Sequence, residues 1–450
     1  MSEPLWGGRF AGGPHPEMLR LTRSIEVDMR LLPQDLAVTK AHARVLVKAG
    51  LLEAANLEVI DAACDALLRE WQEGILTVDP VDEDVHSLVE RELTRRLGDV
   101  GARIHAGRSR NDLVAQDLRL WCRDAAGRLT DLCARLVRTL ADRASEHRDA
   151  LMPGYTHLQR AIPVTVGFYL CAHGVALLRD GTRLARARQA ADVSVLGAGA
   201  LAGTTLPLDA RVAADELGFS DVFVNAMDAV SDRDFACDLL YAVALCGVHL
   251  SRLAEEIVLF STTEFGFVRL PDEWSTGSSM MPQKRNPDLA ELVRGRSAGG
   301  IGDLTALLSL LKGLPLAYDR DLQEDKERVF AAVDRLDGCL HGMNELMAAL
   351  EFDNDRLESA AGEGSMWATD VAELLVLEGT PFRHAHAAAG KLVAGVEMGE
   401  LDLRAEAPQA AEGPGRSVRA RANPGSSSAA RVDQQISILR SGAAGLLHQT

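Results

Sequence analysis

The 450-residue sequence predicts an all-α fold, with three mainly helical domains and a central bundle of long helices. Three observations lead there. Proline interrupts helical hydrogen bonding, and it is absent from residues 91–152, 164–206, 208–270 and 316–380. Apolar residues recur at helical spacing across those stretches. Convincing apolar/polar alternation, the mark of a half-buried strand, is hard to find.

Residues 1–105 carry shorter elements and read as an N-terminal helical domain. The central domain, 106–355, holds the long helices. One seam runs Val114, Leu118, Trp121, Ala125, Leu129, Leu132, Leu136, Leu140, in steps of 4, 3, 4, 4, 3, 4 and 4. Such steps keep every member on one helical face. A second seam runs from Phe235 through Leu239, Ala242, Cys246, His249, Leu253 and Ile257 to Phe260, and a third from Val329 to Leu350. So much apolar seam in one chain points to homo-oligomerisation through the central helices. Residues 356–450 form a small C-terminal helical domain. Its Ala405–Ala430 stretch, rich in Ala, Gly, Pro, Ser and Arg, reads as a loop.

Composition narrows the function. Acidic residues outnumber basic ones by 65 to 48, a net charge of −17, which disfavours nucleic acid and anionic membrane as partners. Aromatic content of 4% disfavours RNA modules that stack bases. A local basic pocket for a small anionic substrate remains compatible with both. The seven cysteines include no CxxC pair and read as reduced thiols. No basic leader with an apolar core opens the chain, and no 18-residue apolar run follows, so a cytoplasmic protein without a membrane span is expected.

Four segments carry chemistry. Arg103-Ile-His-Ala-Gly-Arg-Ser-Arg-Asn-Asp112 enters the first long helix; Ser109, Asn111 and Asp112 favour a helix start. The N-terminus beside Arg108 and Arg110 offers donors to a carboxylate or phosphate. Met152-Pro-Gly-Tyr-Thr-His-Leu-Gln159 places Thr156 and His157 in a turn, and an imidazole there can exchange protons near neutral pH. Ser275-Thr-Gly-Ser-Ser-Met-Met-Pro-Gln-Lys-Arg-Asn-Pro287 is a polar loop whose hydroxyls, amide and cations suit a carboxylate, and its Gly277 permits a mobile lid. In Gly313–Lys326, a helix from about Asp321 would put Gln323 and Lys326 on one face. Gly197-Ala-Gly-Ala-Leu-Ala-Gly203 lacks a preceding strand and reads as tight backbone packing rather than a dinucleotide site.

Gly277-Ser-Ser-Met-Met-Pro-Gln-Lys-Arg-Asn-Pro287 resembles the signature of the fumarase/aspartase superfamily. Leu5-Trp-Gly-Gly-Arg-Phe10, Gly107–Asp112, Pro153–Arg160, Met227–Phe235 and Leu314–Lys326 resemble the argininosuccinate lyase branch. The resemblance implies a fumarase/aspartase-like fold and a homotetramer whose active sites draw on three subunits. It implies cleavage of argininosuccinate to arginine and fumarate without metal or organic cofactor. Ser278 then matches the family's base and His157 its acid; Lys284 and Asn286 suit stabilising the alkoxide and holding the carboxylate. Ser24, Ser109, Arg110, Asn111, Thr156, Tyr318, Gln323 and Lys326 match substrate-contacting positions. The chain departs from the family pattern at Val38-Thr39, Ala106, Leu113, Ile162, Asp319 and Ser426–Ser428, several of them losses of polar groups expected near the pocket. Those departures keep two rivals open: a fumarate-releasing lyase of specialised metabolism acting on another N-substituted aspartate, and a catalytically silent structural homologue.

Overall fold

The computed structural model describes residues 15–363, 365–407 and 413–447; Leu5–Phe10 lies outside them. The helices include α1 (Leu32–Lys48), α2 (Val85–Leu97), α3 (Arg110–Glu146), α4 (Val166–Ala191), α5 (Asp234–Phe260), α6 (Asp288–Leu311), α7 (Asp325–Ala349) and α8 (Asn354–Gly362). The architecture is 68% helical with few small strands. The first seam buries all its members along α3, and the third does so along α7 up to Leu350. His249 is the one half-buried member of the second seam, because its imidazole is held by a carboxylate. Among the described residues, no helix is long and apolar enough to cross a membrane.

Two compact units emerge. One comprises described residues up to Arg128 with Leu184–Val243 and Gly300–Asp334; the other comprises Leu129–Arg183, Ala244–Gly299 and the described residues from Arg335 on. In the first, α3 meets α7 where the Trp121 and Phe330 rings lie 4.5 Å apart, with the Arg30 guanidinium over Phe330. In the second, α4 and α5 are joined by two histidine–carboxylate hydrogen bonds, His173–Glu256 at 2.7 Å and Asp180–His249 at 2.6 Å. Thr139 of α3 donates to Asn344 of α7 at 2.8 Å.

A few small strands accompany the helices, and one expectation needs correction. Strand β1 (Leu151–Thr156) pairs antiparallel with β2 (Gln159–Thr165). Pro153, Gly154 and Pro163 hid this hairpin, since they break the alternation that identifies strands. Two further pairs, β3 (Val193–Ser194) with β4 (Asp221–Val222) and β5 (Val268–Arg269) with β6 (Glu351–Phe352), span two residues each. The Ala405–Ala430 stretch, expected as a loop, contains a helix, Pro414–Ala420, with Pro at its first position where no N–H is needed.

Candidate active site

In the first unit the start of α3 is fixed by its own side chains. The Ser109 N–H donates to Asp112 Oδ1 at 2.9 Å, and the Asn111 N–H to Ser109 Oγ at 3.3 Å. Asp112 Oδ2 accepts from the Gly197 and Gly199 amides at 3.1 and 2.9 Å. Asn111 Nδ2 donates to the Ala200 carbonyl at 3.0 Å. The glycine-rich segment is therefore a backbone cradle for the helix start. A Cβ at Gly199 would meet the Gly203 carbonyl at 2.7 Å, and its φ of +60° is cheap only for glycine. Arg110 is already engaged, donating to Asp84 at 2.7 Å. Burial tends to raise the Asp84 carboxyl, but His86, Arg110 and the Ser87 amide outweigh it and hold it below the usual range.

Ser24 sits beside the same acidic segment. Its N–H donates to the Glu83 carbonyl at 2.9 Å and its hydroxyl to Asp28. Gln323 Nε2 and Arg320 both donate to the Thr22 carbonyl, at 3.1 and 2.8 Å. The chain around them is a 3₁₀ turn, Arg320–Glu324, and α7 begins only at Asp325. The expected helix from Asp321 thus starts four residues later, and Gln323 reaches out of the turn while Lys326 points into the protein interior. Tyr318 packs against the cluster of Ala115, Val195, Ala198, Ala229 and Val230.

Lys326 is a buried cation, 2% exposed. Its ammonium donates to Asp325 at 3.0 Å, and the other Asp325 oxygen accepts from Arg233 Nε at 2.6 Å. Burial pulls the Lys326 pKa down, yet Asp325, Asp28 and Tyr318 together hold it above its ordinary value. Asp325 is pushed up by burial and brought below the usual range by Lys326 and Arg233. For Asp28 burial wins over Lys326, His86 and Ser24, and its pKa is raised. Burial also raises the Tyr318 phenol. Asp28, Arg233 and Asp325 were missed from sequence alone; the signal was the i, i+4 spacing of Ser24 and Asp28 and the Asp-Arg-Asp run at 232–234.

Beneath the α3 start, His86 Nδ1 lies 2.5 Å from Asp35 and 3.5 Å from Asp117. Among the described residues this is the group with metal-ligand composition. Its tightest contact is a hydrogen bond between two of the three, so hydrogen bonding accounts for it. Val38 and Leu113, two of the departures, are buried together in one apolar cluster with Val45, Leu120 and Phe219. They pack the core under the helix start.

In the second unit His157 and Leu158 form the two-residue tip of the β1–β2 hairpin, between the paired Thr156 and Gln159. Their φ angles are +55° and +57°. Hairpin twist demands such a tip, which ordinarily takes Asn-Gly; here each residue carries a strain of about 1–2 kcal/mol. Non-glycine residues kept in that region mark functional sites. Thr156 and His157 are exposed. The signature loop is closed at its base by paired Thr276 and Asn286, with bonds of 3.2 and 2.9 Å. Ser278 Oγ accepts from the Met280 and Met281 amides at 3.2 and 3.0 Å. Lys284 is exposed and Asn286 Nδ2 reaches Thr276 Oγ1 at 3.4 Å.

Residues 8–302 match the family model described as lyase, and residues 365–411 match the one described as argininosuccinate lyase C-terminal. The argininosuccinate lyase of Frankia casuarinae is 53% identical over 399 residues, covering 89% of this chain and 86% of that protein. The chain belongs to the argininosuccinate lyase family. Argininosuccinate lyase of Mycobacteroides abscessus is 50% identical over 86% of this chain and 82% of its own length. Among solved structures, EDDS lyase in complex with formate shares 25% identity at a TM-score of 0.81, covering 97% of this chain and 93% of that one. Class II fumarase from Schistosoma mansoni, 17% identical over 84% of this chain and 86% of its own, has a TM-score of 0.71 and shows that this argininosuccinate lyase family member has the fumarase fold.

Proposed function

We propose that this protein cleaves argininosuccinate to arginine and fumarate by base-catalysed β-elimination, in arginine biosynthesis. Ser278 Oγ removes a proton from the succinyl carbon next to a carboxylate. The electron pair forms the carbon–carbon double bond as the bond to the guanidino nitrogen breaks, and His157 protonates that nitrogen. The carbanion's charge spreads into the carboxylate, so stabilising a dianion is the main catalytic task.

The observation that carries this reading is the pair of amides donating to Ser278 Oγ. A serine is a base only when its alkoxide is stabilised. Preorganised donors of this kind contribute about 3–4 kcal/mol each to an oxyanion. Lys284 and Asn286 then hold the substrate carboxylate. Ser24, Ser109, Asn111, Thr156, Tyr318, Gln323 and Lys326 form the remaining grip. Arg110 serves it through its ion pair with Asp84.

The exposure of His157 and Lys284 in a single chain supports completion of the site by other subunits, since an elimination through a dianion needs water excluded. A homotetramer built on the central helices, in the cytoplasm, is part of this proposal. The same holds for the division into 1–105, 106–355 and 356–450. The test is fumarate release from argininosuccinate by purified protein. No fumarate from an intact oligomer overturns the assignment. The EDDS lyase likeness makes other N-substituted aspartates the informative second panel: turnover of one of them, with argininosuccinate untouched, favours the specialised-metabolism reading.

A further inference from the structure

The His157 hairpin packs against α8 and leaves an open cleft beside that contact. A cleft of about 770 Å³ opens there, lined by Tyr155, Leu158, Arg160, Phe265, Ser359 and Glu363. Two things cross it. Arg160, three residues beyond His157, donates to Glu363 at 2.6 Å and to the Ala360 carbonyl at 3.3 Å. The Tyr155 ring leans on Phe265 at 5.9 Å between centroids. The first support ends at the C-terminal end of α8, and the second on Phe265, whose carbonyl α8 holds through Arg356. Glu363 directly follows that helix, and Arg356 within it holds the carbonyls of Thr263 and Glu264, each at 3.0 Å, and of Phe265.

We propose that Glu363, acting through Arg160, is a positioning residue for His157: the ion pair braces the hairpin across the open cleft and sets where the imidazole stands. The inference rests on the reading of His157 as the acid. A tip strained at two residues relaxes unless its strands are held, and misplacing a catalytic group by about 1 Å costs about a hundredfold in rate. An ion pair this exposed, 38% and 59% at its two side chains, adds little to global stability. Its loss should therefore be visible in turnover and not in folding.

The experiment compares full-length wild type with Glu363→Ala. Turnover should fall about ten- to hundredfold, with KM within about twofold and the denaturation midpoint unchanged. Amides of residues 155–160 should exchange hydrogen faster. The reversed pair, Arg160→Glu with Glu363→Arg, should recover part of kcat. Glu351→Ala, which removes the similarly exposed Arg269–Glu351 pair, is the control and should leave kcat unchanged. Wild-type kcat and wild-type exchange in Glu363→Ala overturn the proposal, as does a kcat loss equalled by Glu351→Ala. If wild type releases no fumarate, the functional reading fails, and the exchange comparison still decides whether the brace exists.

Discussion

Replacing Asp325 by Asn removes one negative charge that serves two buried cations, Arg233 and Lys326, whose side chains are 0% and 3% exposed. Each charge-assisted bond contributes about 1.5–3 kcal/mol. Losing both, with the amide oxygen retaining one weaker bond, predicts about 3–5 kcal/mol of destabilisation, the range measured when one partner of a buried pair is removed. The pH dependence fixes the sign. Asp325 lies below its unfolded value, so its contribution is present above about pH 4 and lost as pH falls through the folded value. Lys326 lies above its unfolded value, so its contribution is complete below about pH 10 and lost as pH rises through the folded value. The deficit should therefore be flat between about pH 5 and 9. Without Asp325, burial acts on Lys326 with less opposition, and the alkaline limb of kcat/KM should move to lower pH. Urea denaturation at fixed protein concentration, with a pH–rate profile, measures both. A deficit below about 1 kcal/mol with an unmoved alkaline limb refutes the reasoning.

Ser278→Ala and His157→Asn should each lose most turnover while keeping the far-ultraviolet circular dichroism of the wild type; near-full rate in either removes that residue from the mechanism. Asp117 is fully buried, and burial with Asp35 beside it raises its pKa well above the ordinary value. The contribution of Asp117 to stability should therefore fall as pH rises above about 4. Asp117→Asn should flatten that fall, as denaturation midpoints across the pH series will read; parallel curves contradict it. Leu158→Gly relieves the left-handed strain of an exposed tip residue and should raise stability by about 0.5–1 kcal/mol, unless the Leu158 side chain holds the tip, in which case the midpoint drops.

The long helices were legible because a proline-free apolar seam has one physical solution. Leu118, Leu129, Leu136 and Leu140 are all fully buried where that solution puts them. The signature loop was legible because thirteen polar, Gly- and Pro-punctuated residues cannot make a core element, and its bridge from Thr276 to Asn286 closes where the motif ends. The hairpin was not legible, because prolines and a glycine within the strands erase the two-residue period. Nor was the pairing of Arg233 with Asp325, 92 residues apart. Ion pairs between distant segments leave no local pattern, and only a fold brings them together. The start of α7 was misplaced for a subtler reason. Acidic residues at 321, 324 and 325 all favour a helix N-terminus, and the choice among them fell to Asp325, the one that also neutralises two buried cations.

The departures from the family pattern can now be weighed by place rather than by number. Val38 and Leu113 share one buried cluster, so both act in the core beneath α3. Thr39, next to Val38, keeps a polar role by accepting from Arg108 at 3.1 Å and facing Asp35 at 3.4 Å. These positions belong to the packing beneath the start of α3. Ile162 and Asp319 are different. Ile162 is half-buried on β2, the strand that follows the His157 tip, and Asp319 adjoins Tyr318. Ile162 thus shares the hairpin with His157, and Asp319 is the chain neighbour of Tyr318, both residues proposed to meet the substrate. Under the proposed function, these two side chains bear on the choice of leaving amine, while the fumarate-forming half rests on Ser278 and its two amide donors.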